Sequence, residues 1–314
     1  MKILYFGTSI FAQPPLRALV EHEYTVVGVV TQPDRPAGRG GKLTAPPVKE
    51  LALQYELPIF QPESCRANDF LDTVRSLSPD LIIVAAYGQF LPDKLLQISP
   101  LGAVNLHGSL LPKYRGAAPI QRAIWNGEAH SGVCLMWMVR EMDAGDVIAC
   151  AEEPILDTDN AATLSERLAN RAADLLLEWL PALKANQAPR QPQNPTLVTF
   201  APIIKKEERS IDWTKSAVEI WRQIRALAPA PAAVTTFRGQ QVKVLEARPV
   251  SQFTELKEGE PGAIVELNPK SGLIVATGEG NLQLLSLQPA GKRPMSGADF
   301  LRGYRVNAGE RFAS

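Results

Sequence analysis

The stretch Ala103-Val104-Asn105-Leu106-His107-Gly108-Ser109-Leu110-Leu111-Pro112 decides how the chain is read. Its first half alternates apolar and polar residues with the period of a strand, so Asn105 and His107 share one face at the strand's carboxyl end. Its second half turns at Gly108 into a loop that runs through Lys113-Tyr114-Arg115-Gly116-Ala117-Ala118-Pro119, where Gly and Pro hold a fixed backbone shape. A polar pair at the tip of an apolar strand is hard to explain as core. It suits an open α/β sheet, whose ligands lie beyond the carboxyl ends of the strands.

Outward from this stretch, Ile3 to Phe6, Thr25 to Thr31, Asp80 to Ala85 and Ala103 to Leu106 read as strands. Phe11 to Val20, Pro47 to Tyr55, Asn68 to Leu77 and Pro92 to Ile98 between them have helical spacing or helix-start signals. The alternation predicts α/β architecture, with a doubly wound, mostly parallel sheet. Gly132 to Met138 reads as one more strand, followed by Met142-Asp143-Ala144-Gly145-Asp146, which brings an acid. Residues 161 to 184 read as a long helix with Thr163-x-x-Glu166 as its capping box and Leu164, Leu168, Leu175, Leu176 and Leu180 as its apolar face.

Asn186 to Pro202 carries Pro189, Pro192, Pro195 and Pro202 with little periodicity, the composition of a stiff connector. Beyond it, Ser216 to Leu227 reads as a helix. Val234 to Phe237, Gln241 to Ala247, Gly262 to Leu267, Leu273 to Ala276 and Asn281 to Leu287 read as closely spaced strands, with Arg238-Gly239 as the first turn. This predicts a small OB-like β-barrel. The expected organisation is a domain over 1–185, a linker over 186–204 and a second domain over 205–314, consistent with a length of 314 residues.

Hydrophobic residues at 45% and charged residues at 21% describe an ordinary globular chain. No run approaches the roughly 18 apolar residues of a membrane span. Met1-Lys2 leads straight into a strand with no signal-peptide core, so the expectation is a cytoplasmic protein without a membrane. Cys65, Cys134 and Cys150 are odd in number and lack C-x-x-C spacing, which predicts separate buried thiols, no disulfide and no metal. The formal net charge of zero hides an asymmetry. Residues 206 to 314 carry 15 Lys and Arg against 12 Asp and Glu, or +3, and the rest carry 18 against 21, or −3. Only the second part leans toward a polyanion.

Two nucleotide motifs fail. Gly7-Thr8-Ser9-Ile10-Phe11 supplies one of the three glycines that a dinucleotide turn needs, so Gly7 is expected only to relieve crowding. Gly38-Arg39-Gly40-Gly41-Lys42-Leu43 has Leu43 where a phosphate loop needs Ser or Thr.

Asn105-x-His107-Gly108-Ser109-Leu110-Leu111-Pro112, taken with Asp143, resembles the signature of the folate-dependent formyltransferases. The resemblance implies that Asn105, His107 and Asp143 form the catalytic group. It also implies the formyltransferase fold and 10-formyltetrahydrofolate as donor, with no metal. The pterin and formyl portions are then expected against Ser109, Leu110, Leu111 and Pro112 and against the backbone of Ala86, Tyr87, Gly88, Gln89 and Phe90. The residue types suit the chemistry. An amine attacks the formyl carbon, and fixed donors, here Asn105 and His107, stabilise the charge that grows on its oxygen. A carboxylate at Asp143 would orient His107, favour its charged form and accept the proton that the amine loses.

Thr199-Phe200-Ala201-Pro202-Ile203-Ile204-Lys205-Lys206-Glu207-Glu208, with Ile211-Asp212-Trp213, and Pro289-Ala290-Gly291-Lys292-Arg293-Pro294-Met295 resemble the branch of that family that formylates methionyl initiator tRNA. The resemblance implies the acceptor stem of that tRNA as partner and a monomer. Thr31 to Leu43 matches the family's loop that enters the acceptor stem, with Gly41 where a Lys is common; composition alone makes it a solvated loop. Arg35, Arg39 and Lys42 are its candidate contacts. Lys205, Lys206, Lys243, Lys292 and Arg293 are candidate phosphate contacts of the second domain, while Trp213 and Trp221 are expected in its core. Three alternatives stay open: a formyltransferase acting on another amine such as an amino sugar, a hydrolase releasing formate, and a non-catalytic RNA-binding protein.

Overall fold

The structure, a computed structural model, describes residues 1–37, 41–250, 258–268, 270 and 272–313. Two compact units emerge. One comprises residues 1–119, 130–154 and 165–202, and the other comprises 120–129, 155–164 and 203–314.

In chain order the first part contains β1 (Lys2–Gly7), α1 (Gln13–Glu21), β2 (Thr25–Val30), β3 (Arg35–Ala37), β4 (Lys42–Thr44), α2 (Pro47–Gln54), β5 (Ile59–Phe60), α3 (Asn68–Leu77), β6 (Leu81–Ala85), α4 (Asp93–Leu96) and β7 (Ala103–His107). They are followed by α5 (Pro119–Asn126), β8 (His130–Trp137), β9 (Val147–Pro154) and α6 (Ala161–Lys184). The main sheet runs β5-β2-β1-β6-β7-β8-β9. Pairings from β5 to β7 are parallel, and those of β7 with β8 and of β8 with β9 are antiparallel. The mostly parallel sheet is as expected.

β1 and β6 are buried along nearly their whole length, as strands covered on both faces must be. Alternate residues Leu4, Phe6, Ile82 and Val84 pack with Phe70, Leu71 and Val74 of α3 and Leu95 of α4. On the opposite side Tyr5 donates a hydrogen bond to the Ala12 carbonyl at 2.6 Å. A Cβ at Gly7 would meet that of Ala12 at 2.7 Å, so its expected role in relieving crowding holds.

Several boundaries move. The first helix begins at Gln13, after a 3-10 turn over Ile10–Ala12. The helix expected over Pro92 to Ile98 shrinks to the single turn of α4. The 31–43 loop carries a two-stranded ribbon, with Arg35 opposite Thr44 and Ala37 opposite Lys42. The long helix occupies 161 to 184 as expected, but its cap does not lie at Thr163. Asn160 Oδ1 accepts from the Ala162 and Thr163 amides at 2.9 and 3.1 Å, while Thr163 sits inside the first turn with its hydroxyl donated to Asp159. An Asn at N-cap captures two amides there, which leaves the Thr hydroxyl to local bonds.

The cysteine expectation is also corrected. Cys134 and Cys150 stand opposite each other on β8 and β9 with Cα atoms 4.1 Å apart and are joined as a disulfide. Strand register, invisible in the spacing, brings them together. Cys65 is a free, buried thiol, as expected.

The second unit contains α7 (Ala217–Leu227), β10 (Ala233–Phe237), β11 (Gln240–Pro249), β12 (Ile264–Asn268), β13 (Gly272–Ala276), β14 (Asn281–Pro289), β15 (Met295–Ser296), α8 (Gly297–Tyr304) and β16 (Phe312–Ala313). Its antiparallel sheet runs β12-β13-β14-β11-β10-β16. Arg238 and Gly239 both take positive φ between β10 and β11, the backbone of a two-residue hairpin turn. The Phe312 amide donates to the Gly262 carbonyl at 2.8 Å and that of Ile264 to the Glu310 carbonyl at 2.7 Å. The segment ending in β16 thus pairs with β10 on one side and with the start of β12 on the other, closing the expected barrel. Its core gathers Trp213, Phe237, Phe300 and Phe312 with Ile220, Ile224 and Leu227 of α7, and Trp221 packs partly buried against it. Ser216 and Glu219 cap α7 reciprocally.

Candidate active site

β6 and β7 are parallel neighbours, with Val84 beside Asn105 and Ala85 beside Leu106. Their carboxyl ends therefore release two loops side by side, one over residues 86–90 and the other from Gly108 onward. Asn105 is half-buried and its side chain has no hydrogen-bond partner among the described residues. His107 is 6% exposed, and its Nε2 lies 2.9 Å from the Tyr114 carbonyl oxygen. A carbonyl oxygen can only accept, so Nε2 carries the proton of the imidazole. Nδ1 then faces the Asp143 carboxylate, 3.7 Å from Oδ2.

Asp143 arrives in the turn between β8 and β9 with φ of +50°, in the left-handed region that Asp tolerates better than most residues. Its Oδ2 accepts the Gly116 amide at 2.8 Å. The side-chain amide of Gln193 donates to the carbonyls of Asp143 and Gly145, both at 2.8 Å, and its oxygen accepts Nε and Nη2 of Arg115 at 3.0 and 2.8 Å. The acid is thus held by its carboxylate and its backbone at once.

The loop after β7 is fixed just as closely. Ser109 donates its hydroxyl to the Lys113 carbonyl at 2.7 Å, and the Leu111 amide points at Cys134 Sγ at 3.3 Å. Gly132 makes room for Leu110. A Cβ there would meet Leu110 Cδ2 at 2.4 Å and the Ala151 carbonyl oxygen at 2.5 Å.

In the neighbouring loop Ala86 and Gly88 take positive φ, which turns the backbone sharply. The Tyr87 carbonyl accepts from Thr8 Oγ1 at 2.7 Å and Gln32 Nε2 at 3.2 Å. Gln89 bonds Gln32 in turn, at 3.2 Å. The Tyr87 hydroxyl lies 3.1 Å from Cys65 Sγ. Burial pushes the Tyr87 phenol and the Cys65 thiol up from their ordinary values, so both stay neutral and serve packing. Phe90 lies exposed beneath the Arg66 guanidinium, 5.5 Å from its carbon.

The structure therefore brings Asn105, His107 and Asp143 to one sheet edge, flanked by residues 109–112 and 86–90. Among the described residues no group of His, Cys, Asp and Glu could hold a metal ion. Sequence reasoning did not single out Gln193 or the carbonyl of Tyr114 as partners of Asp143 and His107. Nothing in a proline-rich connector marks its polar residues for this role.

The candidate tRNA contacts fall in several places. Arg35 makes an exposed ion pair with Glu63 at 2.9 Å. Arg39 lies outside the described residues, and Lys42 is placed in β4. Lys205 and Lys206 are exposed beside the 3-10 turn over Glu207–Arg209. Lys243 of β11 pairs with Gln288 of β14, whose amide holds the Lys292 carbonyl at 3.0 Å. That bond places Lys243 and the exposed Lys292 and Arg293 on one end of the barrel. Trp213 is 2% exposed and donates to Thr235 Oγ1 at 3.0 Å, a core role as expected.

A doubly wound sheet with an Asn, His and Asp gathered beyond its carboxyl edge defines the class, and comparison with known proteins agrees. The family described as formyl transferase matches residues 1–180, and formyl transferase, C-terminal domain, matches residues 203–305. The chain belongs to the formyl transferase family. It is 44% identical to the methionyl-tRNA formyltransferase of a Sulfurihydrogenibium species, over 99% of this chain and 100% of that one. It is 46% identical to the methionyl-tRNA formyltransferase of Dictyoglomus turgidum, over 99% of each. Among solved structures, HypX from Aquifex aeolicus in complex with tetrahydrofolic acid is similar, with a TM-score of 0.69 at 20% identity over 99% of this chain and 48% of that one. That likeness concerns the fold.

Proposed function

We propose that this enzyme transfers the formyl group of 10-formyltetrahydrofolate to the α-amine of methionine on initiator tRNA, as a monomer in the cytoplasm. The observation that carries the chemistry is the convergence of Asn105, His107 and Asp143 at one sheet edge, with His107 Nε2 already committed to Tyr114. The observation that carries the acceptor is the likeness, over nearly the whole chain, to proteins named for methionyl-tRNA.

The residues present fit such a donor. Asn105 offers an unpartnered amide, and the sharply turned backbone of 86–90 presents main-chain groups suited to a pterin edge. The bound folate supplies an activated formyl carbon. Asn105 donates to the formyl oxygen as charge develops there, which is worth about 3 to 4 kcal/mol for a single fixed donor. His107 can donate only through Nδ1, once that atom carries a proton. Without that proton, Nδ1 and Asp143 Oδ2 are two acceptors facing each other at 3.7 Å. A proton between them turns repulsion into attraction, so this pair is built to take up the proton that the attacking amine loses.

In this reading residues 1–185 are catalytic, 186–204 link, and 205–314 bind tRNA. Arg35, Arg39 and Lys42 contact the acceptor stem, while Lys205, Lys206, Lys243, Lys292 and Arg293 contact phosphates. Formyl transfer would be measured with methionylated initiator tRNA, uncharged tRNA and glycinamide ribonucleotide as acceptors. Transfer to the charged tRNA alone is expected, and transfer to the ribonucleotide instead would overturn the acceptor. Asn105→Ala or His107→Ala should lower kcat about 100- to 1,000-fold with the fold retained. Near-normal turnover in either variant would sink the catalytic assignment.

A further inference from the structure

The segment between the expected domains is tied into the catalytic unit at every turn. The Pro189 carbonyl accepts the Trp137 indole N–H at 2.9 Å, and the Arg190 guanidinium lies 4.1 Å from the centre of that ring. Gln191 and Val147 exchange backbone hydrogen bonds at 2.8 and 3.0 Å. Gln193 saturates its amide on Asp143, Gly145 and Arg115. Thr199 Oγ1 accepts the Tyr114 amide at 2.9 Å, and the Thr199 carbonyl accepts that of Arg115, also at 2.9 Å. The Ala201 amide donates to the Arg115 carbonyl at 2.7 Å, and its own carbonyl accepts the Ala118 amide at 3.1 Å. Between these last bonds sits Gly116, where a Cβ would stand 2.7 Å from Ala201 O, so the two backbones lie in direct contact.

Asp143 is therefore bonded to this strap directly and His107 through Tyr114. His107 is oriented by the Tyr114 carbonyl, whose peptide is held by the Arg115 amide on the Thr199 carbonyl, while the adjoining Tyr114 amide is held by Thr199 Oγ1. Asp143 is oriented by the Gly116 amide, which the strap backs, and its main chain is fixed by Gln193. Both supports act on residues of unfavourable backbone, because Tyr114 and Asp143 have φ of +61° and +50°. Such conformations persist only when the surroundings over-determine them.

We propose that Gln193 and Thr199 are positioning residues for the transfer reaction: the connector is a working wall of the active site that holds the His107 and Asp143 geometry. The role rests on the catalytic reading of that pair and not on which amine accepts the formyl group. Neither residue need touch substrate. Their loss should slow the chemical step while leaving binding of both substrates intact, since displacements of about 1 Å at reacting groups can cost about 100-fold.

The test compares Thr199→Val, Thr199→Ser and Gln193→Leu with the wild-type full chain in two measurements. In steady-state formyl transfer, Thr199→Val and Gln193→Leu should lose about 10- to 100-fold in kcat with both KM values within about twofold, and Thr199→Ser should recover most of the loss. The second is the nitrogen NMR signature of His107, one of only three histidines. The wild type should show the Nε2-protonated ring in slow exchange, Thr199→Val should lose that protection, and Thr199→Ser should keep it. Unchanged kcat, a loss confined to the KM of the acceptor, or an unaltered His107 signal in Thr199→Val would each overturn the proposal. If the wild type formylates no tRNA, the acceptor reading fails, and the NMR comparison still decides the positioning role. Should Thr199→Val misfold, Gln193→Leu carries the test, and an unchanged kcat in it overturns the proposal.

Discussion

Adding one methyl group at Gly145 tests whether the placement of Asp143 makes the site work. A Cβ on residue 145 would stand 1.9 Å from the Trp137 carbonyl oxygen and 2.9 Å from its carbon. The shorter contact falls about 1.5 Å short of ordinary van der Waals distance, and both atoms belong to backbone that cannot rotate away. Trp137 has little freedom to yield. It is 4% exposed, its amide donates to the Asp146 carbonyl at 2.9 Å, and its indole donates to Pro189. The turn over residues 143–146 must therefore move instead, carrying Asp143 away from His107 and stretching both bonds from Gln193. With Asp143 in its proposed role of receiving a proton, a shift above about 1 Å costs about 100-fold in kcat, and overpacking costs about 1 to 3 kcal/mol of stability. Gly145→Ala and the control Ala144→Gly would be compared in formyl transfer at saturating donor, with thermal unfolding measured in parallel. A Gly145→Ala enzyme within about threefold of wild-type kcat would refute the link between this turn and catalysis.

Three further outcomes are expected, all in the second unit. Glu208 is held below its ordinary carboxyl range, first by its hydrogen bonds from Arg122 and then by the Lys205 amide. A depressed value means stability present above the unfolded value of about 4.3 and lost as pH falls through the folded one, so the Tm gap between wild type and Arg122→Met should be widest near neutrality and close on acidification; a gap that widens in acid would contradict this. Thr235→Val leaves the buried Trp213 indole N–H without its acceptor and removes the hydroxyl donated to the Ala313 carbonyl, and urea unfolding followed by tryptophan fluorescence should register a loss of about 1 to 3 kcal/mol. Replacing Lys243, Lys292 or Arg293 by Met should weaken tRNA binding and flatten the dependence of log affinity on log salt by about 0.7 to 0.9 per lost phosphate contact; an unchanged slope would remove that residue from the interface.

What was legible in the sequence and what was not divide along physical lines. Helices α3 and α6 were readable to the residue because amphipathic spacing over ten or more positions is a local signal. The place of Asn105 and His107 at a strand end was readable because a polar pair there contradicts core packing. The cap of α6 was misplaced by three residues because Asn160 and Thr163 both suit an N-cap, and only geometry shows which of them reaches the free amides. The pairing of Cys134 with Cys150 depends on β8 and β9 register, set by a turn whose length composition does not reveal. Strand β9 was not among the strands read from the sequence. The connector was the least legible segment, because the partners of Gln193 and Thr199 lie 50 and 85 residues away in sequence.

The closure of the barrel by β16 has a consequence for handling the protein. Four residues, Glu310 to Phe312 with Ala313, satisfy the borders of two strands at once. Trimming them would unzip the cylinder and leave β10 and the head of β12 as bare templates, each able to recruit the same border of another molecule. A shortened chain would then be expected to fail by self-association. Light scattering would reveal that sooner than an activity assay.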